Sequence, residues 1–592
     1  MSRDDPQPVV SGLSCLLLAA VFAAGLLHLG VRLKEVQVDD SADYSYANAR
    51  QSVRRVQTAG VRGRILDRRG RVLAANRRSV SVVCLPTAFQ KRTWEATAVA
   101  IEEAVSNVAA VIGRPSPLSA AAIRRHIRQS LAMPLFVWRD VGDRELAVVS
   151  ERGREFPGFA VEESVERHYP EGALAAHVVG YVGRDRGEVD AGDEKFNFVS
   201  PELRGRSGLE SYYDSFLRGV PGERKLLVDA RGFAIRSWTV VEAQRGPDLR
   251  VSLDAAVQRE AERQLRGEVG ACAVIDPVSG DVLALASSPG YDLNDFVPSL
   301  SHEVYARYAQ DAAKPLLNRA SGGLYTPGST FKPVTALAGL EAGWPEQETY
   351  DCTGAFTLGT LRLRCSSRWG HGPLDVRRAL MKSCNPFFCG LAMSVGTNAV
   401  IGAARAFGLG SATGIDLGVD AAGVVPDGEW KSRTYHEPWY PGDLAQMAIG
   451  QGMLLVTPLQ MARVAGAIGT GYLVAPRFKL DVPVVRSRLP FAAAHLAAVR
   501  DGMRLVVAGD GESRGTGWRG GDGVPVPVSG KTGTAEIGMG ERRRKNTWFV
   551  AYAPSDRPTV AVAMVVENGD SGGGTTAPRV CAVLKAIFGE GG

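Results

Sequence analysis

The chain has 592 residues, 45% hydrophobic and 22% charged, with a net charge of +6. That length allows two or three domains with real cores, and the composition excludes an intrinsically disordered chain. Lys and Arg are scattered among Asp and Glu with no dense basic block, which argues against nucleic acid as a partner.

Behind a short tail, residues 1–8, the run from Val9 to Val31 contains no Asp, Glu, Lys or Arg. As one helix it is long enough to cross about 30 Å of hydrocarbon. A cleaved signal peptide is the rival reading, because small residues such as Ala23 and Ala24 suit a peptidase. The apolar run continues past them and favours an uncleaved anchor over 9–31. The flanking charges favour the opposite orientation, since Arg3 stands with Asp4 and Asp5 while Arg32 and Lys34 follow the span. Long domains translocate largely regardless of such charges, and the chemistry below requires an outside location.

Residues 32–245 hold no catalytic set. Two apolar runs flank an Arg-Gly turn between Arg62 and Ala74, which reads as a hairpin. Ile101, Val105, Val108 and Ile112 recur at helical spacing. Arg167-His168-Tyr169-Pro170 and Gly208-Leu209-Glu210 read as loops, and the region as scaffold. A boundary falls near Gly246-Pro247, so the second unit spans 246–592. Leu249 to Leu253 reads as a strand, and Leu253, Val257, Ala261 and Leu265 form a helical stripe. Ala273–Ile275 and Val282–Leu285 form a hairpin across Pro277-Val278-Ser279-Gly280. Trp548–Tyr552 and Val560–Val566 read as strands, and Arg579–Phe588 as a closing helix. Strands at both ends with helices between predict an α+β unit, a mixed sheet covered by helices.

Three short motifs carry chemistry. Ser329-Thr330-Phe331-Lys332 follows Pro327-Gly328 and precedes an apolar run, so it opens a helix. Lys332, three residues on, shares a face with Ser329 and can take its proton once burial and the helix terminus lower its pKa. Ser383-Cys384-Asn385 supplies a hydroxyl to relay a proton and an amide to hold substrate backbone. Lys531-Thr532-Gly533-Thr534 falls at the start of a strand, after Val524, Val526 and Val528 interleaved with Pro525 and Pro527. There Lys531 can bind a carboxylate, Thr532, Gly533 and Thr534 can contact substrate, Gly533 lets another backbone approach, and the N–H groups of Thr534 and Ser329 can face an oxyanion. Each motif alone is weak. In this order they form the set of penicillin-binding proteins and serine β-lactamases.

Over nearly its whole length after the anchor the chain resembles class B penicillin-binding proteins. Arg62-Gly63 with Asp67-Arg68 and Gly70, Arg167 to Pro170, and Gly208-Leu209-Glu210 resemble the pedestal of that family. Tyr325 to Pro333, Ile449-Gly450-Gln451-Gly452 and Thr457-Pro458-Leu459-Gln460 resemble its transpeptidase domain, an antiparallel sheet covered by helices. Trp369-Gly370-His371-Gly372 and Trp439-Tyr440-Pro441-Gly442-Asp443 resemble the elongation enzyme more than the division enzyme. No glycosyltransferase signature appears, which argues against the bifunctional class A enzymes. The resemblance implies a serine-type D-Ala-D-Ala transpeptidase on the outer side of the inner membrane. Its partners would be peptidoglycan stem peptides, lipid-linked precursor strands, β-lactams and a membrane glycosyltransferase. No cofactor is required for such acyl transfer. The motifs do not separate amine from water as acceptor, so a D,D-carboxypeptidase or a β-lactam-sensing hydrolase is an alternative. A scaffold that activates a membrane glycan polymerase is another.

Of the eight cysteines, Cys15 lies in the anchor, and Cys84, Cys272 and Cys581 read as core. Cys352, Cys365, His371 and Cys384 make a Cys₃His set for a structural zinc. Some relatives of the resembled enzyme bind zinc with His and Cys at positions like His371 and Cys384. A Cys352–Cys365 disulfide is the second alternative and free thiols are the third. The run Gly572–Gly574 reads as a flexible loop rather than a phosphate cradle, and Lys382 and Glu536 as surface residues.

Overall fold

The apolar N-terminal run forms one helix, Gly12–Lys34, with no buried residue. It is long and apolar enough to cross a membrane. The computed structural model describes residues 12–43, 52–185, 196–200, 202–538 and 544–589. The expected tail 1–8 and residues 9–11 of the expected anchor lie outside them.

The first unit is built on the predicted hairpin. Ile65–Leu66 pairs antiparallel with Val72–Cys84, with Ile65 opposite Ala74. Asp67 shapes the turn, since its Oδ1 accepts from Arg69 N and Arg71 N, both at 2.8 Å. An Asp that bonds its own backbone stabilises such a turn. Val72–Cys84 continues into pairing with Phe159–His168 and Leu135–Trp138. A second sheet sets Val53–Thr58 between Gly222–Val228 and Phe198–Val199, with Ala234–Val241 on its edge. Ile101, Val105 and Val108 of the predicted stripe are buried on one face of the helix Trp94–Ile112, with Ile112 half-buried at its end, and Thr93 caps the helix by accepting from Ala96 N at 3.2 Å.

Two segments expected to be loops depart from that. Arg167 and His168 end the strand Phe159–His168, with Tyr169 and Pro170 in the turn beyond it, and Gly208–Tyr212 is a short helix. The reason is electrostatic. Glu210, fully buried, accepts from Arg62 Nε at 2.6 Å and from Arg167 Nε at 2.7 Å. Arg62 also reaches Asp214 Oδ1 at 2.7 Å, and Arg167 reaches Gly63 O at 2.7 Å. Buried charges are tolerated only when paired in this way, so the ion cluster fixes both segments.

Beyond Gly246-Pro247 the strand is shorter than expected, Leu249–Arg250, and it pairs in parallel with Ile65–Leu66 of the first unit. The helix Ala255–Gln264 follows, capped by Asp254, with Val257 and Ala261 buried. The second unit then forms a five-stranded sheet. Its order is Val282–Ser288, Gly270–Ile275, Val560–Glu567, Arg544–Ala553, Ser529–Ile537. Every pairing is antiparallel, so the residue-level expectation of a mixed sheet is corrected to an antiparallel one. Its faces alternate along each strand. Ala271, Ala273 and Ile275 enter one core with the helices Lys332–Glu341 and Pro458–Thr470. Cys272 and Val274 enter the other with Ala255–Gln264 and the closing helix Ala577–Phe588. Two covered faces explain why these strands read as unbroken apolar runs. Ser529–Ile537 is one of the two edge strands of the sheet.

Candidate active site

Ser329 lies in a 3-10 turn, Gly328–Phe331, that runs directly into the helix Lys332–Glu341. The sequence predicts a helix start there. The 3-10 turn tightens the geometry, because side chains three apart nearly eclipse in such a turn. Lys332 N donates to Ser329 O, which closes the turn. Neighbouring segments hold it in place. Gly328 N donates to Gly450 O at 2.8 Å, and Tyr325 and Val456 exchange backbone bonds at 2.9 Å. Trp548 Nε1 donates to Thr326 O at 3.1 Å. The Ile449–Gly452 motif therefore works through the carbonyl of Gly450. Thr457 and Gln460 form a capping box for the helix Pro458–Thr470, at 2.9 and 3.1 Å. That Thr-x-x-Gln spacing is a readable signal.

The structure brings all three motifs together. Lys332 is fully buried, and its Nζ donates to Ser383 O at 2.7 Å, Asn385 Oδ1 at 2.6 Å and Ser383 Oγ at 3.3 Å. Lys531, also fully buried, donates to the same Ser383 Oγ at 2.9 Å and to Thr532 O at 3.0 Å. One hydroxyl thus sits between two amines. Ser383 has φ +55°, the left-handed region, and ends the helix Val376–Lys382. That conformation costs roughly 1–2 kcal/mol for a non-glycine residue. Cys384 then stands at the N-terminal boundary of the next helix, Asn385–Val395, without a side-chain capping bond. Asn385 is engaged at both ends, since its Nδ2 also donates to Arg364 O at 2.7 Å. This gives it a positioning task toward Lys332 that the spacing alone did not suggest.

Thr532, Gly533 and Thr534 lie on the edge strand Ser529–Ile537. A Cβ on Gly533 would stand 2.9 Å from Pro327 O and from Thr330 Cγ2. Only glycine lets the strand lie this close to the nucleophile turn. Val524–Val528 contributes no strand, as its prolines required.

Burial lowers the amine of Lys332 to about 8, partly opposed by the nearby thiols. Lys531 is lowered well below the ordinary lysine range, first by burial and then by the charge of Lys332. A charged amine in a dry site next to a second one is disfavoured for both reasons.

The four predicted metal ligands converge beside this centre. Cys352, Cys365, His371 and Cys384 present donor atoms that all lie within 4.8 Å of one another. His371 Nδ1 is 3.7 Å from Cys352 Sγ and 3.5 Å from Cys365 Sγ, and Cys365 Sγ is 3.9 Å from Cys384 Sγ. With Zn–S about 2.3 Å and Zn–N about 2.0 Å, the edges of a tetrahedral site are about 3.5–3.8 Å. The set therefore fits zinc in ligand type and number, and these three separations lie close to such edges. The Cys365 thiol is lowered, first by its hydrogen bond with Cys384, whose own thiol is raised. All eight cysteines are free thiols. Cys389, outside the set, donates to Ala445 O at 3.4 Å.

Comparison with known proteins agrees with this geometry. Residues 270–588 match the penicillin-binding protein transpeptidase domain, and residues 57–251 match the penicillin-binding protein dimerisation domain. The chain is 30% identical to the peptidoglycan D,D-transpeptidase MrdA of Escherichia coli K12, across 98% of this chain and 93% of that protein. It is similar in structure to Helicobacter pylori PBP2, solved in complex with MreC, at TM-score 0.77 and 26% identity over 90% of this chain and 99% of that one. A chain solved within a peptidoglycan synthase complex matches at TM-score 0.71 and 30% identity, over 98% of this chain and 99% of that one. Motifs, fold and relatives agree, and the chain belongs to the penicillin-binding proteins, as a class B D,D-transpeptidase closely related to MrdA.

Proposed function

We propose that this chain cross-links peptidoglycan stem peptides through an acyl-enzyme on Ser329, in wall synthesis for elongation and cell shape. The observation that carries the reading is Ser383 Oγ, held 3.3 Å from Lys332 Nζ and 2.9 Å from Lys531 Nζ, beside the turn that bears Ser329.

Neutral Lys332 takes the proton of Ser329 as Oγ attacks the carbonyl carbon of the penultimate D-alanine. The oxyanion develops against the N–H of Ser329, at a helix start where backbone donors lack intrahelical partners, and the N–H of Thr534 on the facing edge. The C–N bond breaks, and the leaving amine of the terminal D-alanine takes its proton from Lys332 by way of Ser383. Lys531, Thr532 and Thr534 hold the carboxylate of that residue. An amine from a neighbouring stem then attacks the ester, forms the new amide and returns the proton to Ser329. One peptide bond is exchanged for another, so these steps require no cofactor. A penicillin presents its strained carbonyl to the same Oγ. No observation favours water over an amine as acceptor, or a purely scaffolding role.

The reading divides the chain into a tail at 1–8, an anchor at 9–31, a pedestal at 32–245 and a transpeptidase unit at 246–592. The apolar helix Gly12–Lys34 supports a single-pass anchor in the inner membrane with the catalytic unit outside. The H. pylori relative is described in complex with MreC, and another in a complex that coordinates polymerization and crosslinking. By likeness this chain works beside a membrane glycosyltransferase on lipid-linked strands. The test is labelling with a fluorescent penicillin. Wild type takes the label and Ser329→Ala takes none; equal labelling of the two would reject the nucleophile.

The reading includes a structural zinc held by Cys352, Cys365, His371 and Cys384. A four-ligand zinc supplies a rigid knot with no open position for chemistry. Cys384 stands between Ser383 and Asn385, so the knot would pin both catalytic side chains. Purified protein is expected to carry one zinc per chain, and His371→Ala to lose it and melt at lower temperature. Metal-free protein in which two thiols react only after reduction would replace the zinc with a disulfide.

A further inference from the structure

Two loops close over the strand Ser529–Ile537. One is the segment 509–521 that follows the helix Ala493–Ala508, and the other is the turn Gly572–Thr576 that opens the closing helix. Neither carries a motif residue of the reaction.

Thr532 Oγ1 donates to Thr516 Oγ1 at 3.0 Å, and Thr516 Oγ1 donates to Met381 O at 3.3 Å. Thr516 N donates to the same carbonyl at 3.4 Å. The direction of this chain is forced, because a carbonyl only accepts, so the Thr516 oxygen is left to accept from Thr532. Met381 lies in the last turn of the helix Val376–Lys382, which delivers Ser383. A single exposed side chain thus ties the strand Ser529–Ile537 to the helix Val376–Lys382, while the buried Lys531 ties the strand to Ser383.

The second loop does the matching task for the other threonine. Gly572 N donates to Thr534 Oγ1 at 3.3 Å. A Cβ at Gly572 would lie 2.5 Å from Gly533 O and 2.4 Å from Trp548 O, so glycine is required for this approach. The loops also meet each other, since a Cβ at Gly573 would lie 2.4 Å from Thr516 O. The triglycine run is therefore a packed turn at the site, in place of the flexible loop expected from sequence.

We propose that Thr516 is a positioning residue for recognition of the substrate carboxylate. It holds Thr532 Oγ1 in place before substrate arrives. When a carboxylate enters, Thr516 turns its proton from Met381 O to Thr532 Oγ1, and Thr532 turns its proton to the carboxylate. Met381 O keeps the backbone N–H of Thr516, so no buried acceptor is left without a donor. No heavy atom moves, and the chain of hydroxyls strengthens as a unit.

This inference rests on the Ser329 reading, whose failure would look different: wild-type protein would go unlabelled. The experiment compares acylation by a penicillin with acylation by its methyl ester, which lacks the carboxylate. Thr516→Val is expected to cut the rate advantage of the free acid on the order of fivefold to tenfold, leaving the ester rate within about twofold, an effect the size of one lost hydrogen bond between neutral groups. Thr516→Ser is expected to restore the advantage. Both probes read the same folded population, so partial misfolding lowers the two rates together. An equal fall with both probes, or an unchanged ratio, would reduce Thr516 to a structural residue.

Discussion

Lys332→Met lowers the rate of Ser329 acylation on the order of a thousandfold. A positioned general base contributes roughly 10²–10⁴-fold, and methionine keeps the length of the side chain without the amine. The change also leaves Asn385 Oδ1 and Ser383 O without the donor they share, at 2.6 and 2.7 Å. The signature of a base is in the pH profile. Only the neutral amine accepts a proton, and burial holds Lys332 at about 8. Wild-type acylation should therefore rise about tenfold per pH unit below that value and level off above it. In Lys332→Met the slope disappears. Stopped-flow acylation between pH 6 and 9 measures both, and a loss below tenfold with the slope intact would assign the proton to another group.

Glu210→Ala destabilises the pedestal by about 3–5 kcal/mol, the usual cost of leaving buried charges without their partner. The side chain of Glu210 is fully buried, as is that of Arg167, and that of Arg62 is 3% exposed. Without the carboxylate, Arg167 keeps only Gly63 O at 2.7 Å and Asn76 Oδ1 at 3.2 Å. Arg62 keeps the backbone carbonyl of residue 210 at 2.6 Å and Asp214, whose side chain is 19% exposed and shares its charge with solvent. The melting temperature should fall on the order of 10 °C. Thermal unfolding followed by circular dichroism reads this, and a shift within a degree would mean that water or rearrangement replaces the carboxylate.

Much of the site was legible because its chemistry is local. Ser329 and Lys332 are one turn apart, and Lys531 to Thr534 are consecutive on a strand, so spacing carried the roles. The sheet was legible as apolar runs such as Ala271–Ile275, although its antiparallel pairing came only from the family resemblance and not from those runs, since pairing depends on segments far apart in the chain. The Arg62–Glu210–Arg167 cluster was missed for the same reason. Its contacts span 148 and 43 residues, and a single Glu in a glycine-rich stretch looks like surface. The metal set was legible in composition, but zinc and a disulfide both claim Cys352 and Cys365. The convergence of His371 and Cys384 on that pair supports the metal reading. Thr516 gave no signal, because a Thr between two glycines has no pattern until Met381 and Thr532 stand beside it.

The most direct test is peptide mapping by mass spectrometry of wild-type protein trapped with penicillin. The expected result is one adduct per chain on the peptide that contains Ser329, with that serine as the modified residue. An adduct on any other residue, or none while the protein is folded, would contradict the assignment of Ser329 as the nucleophile.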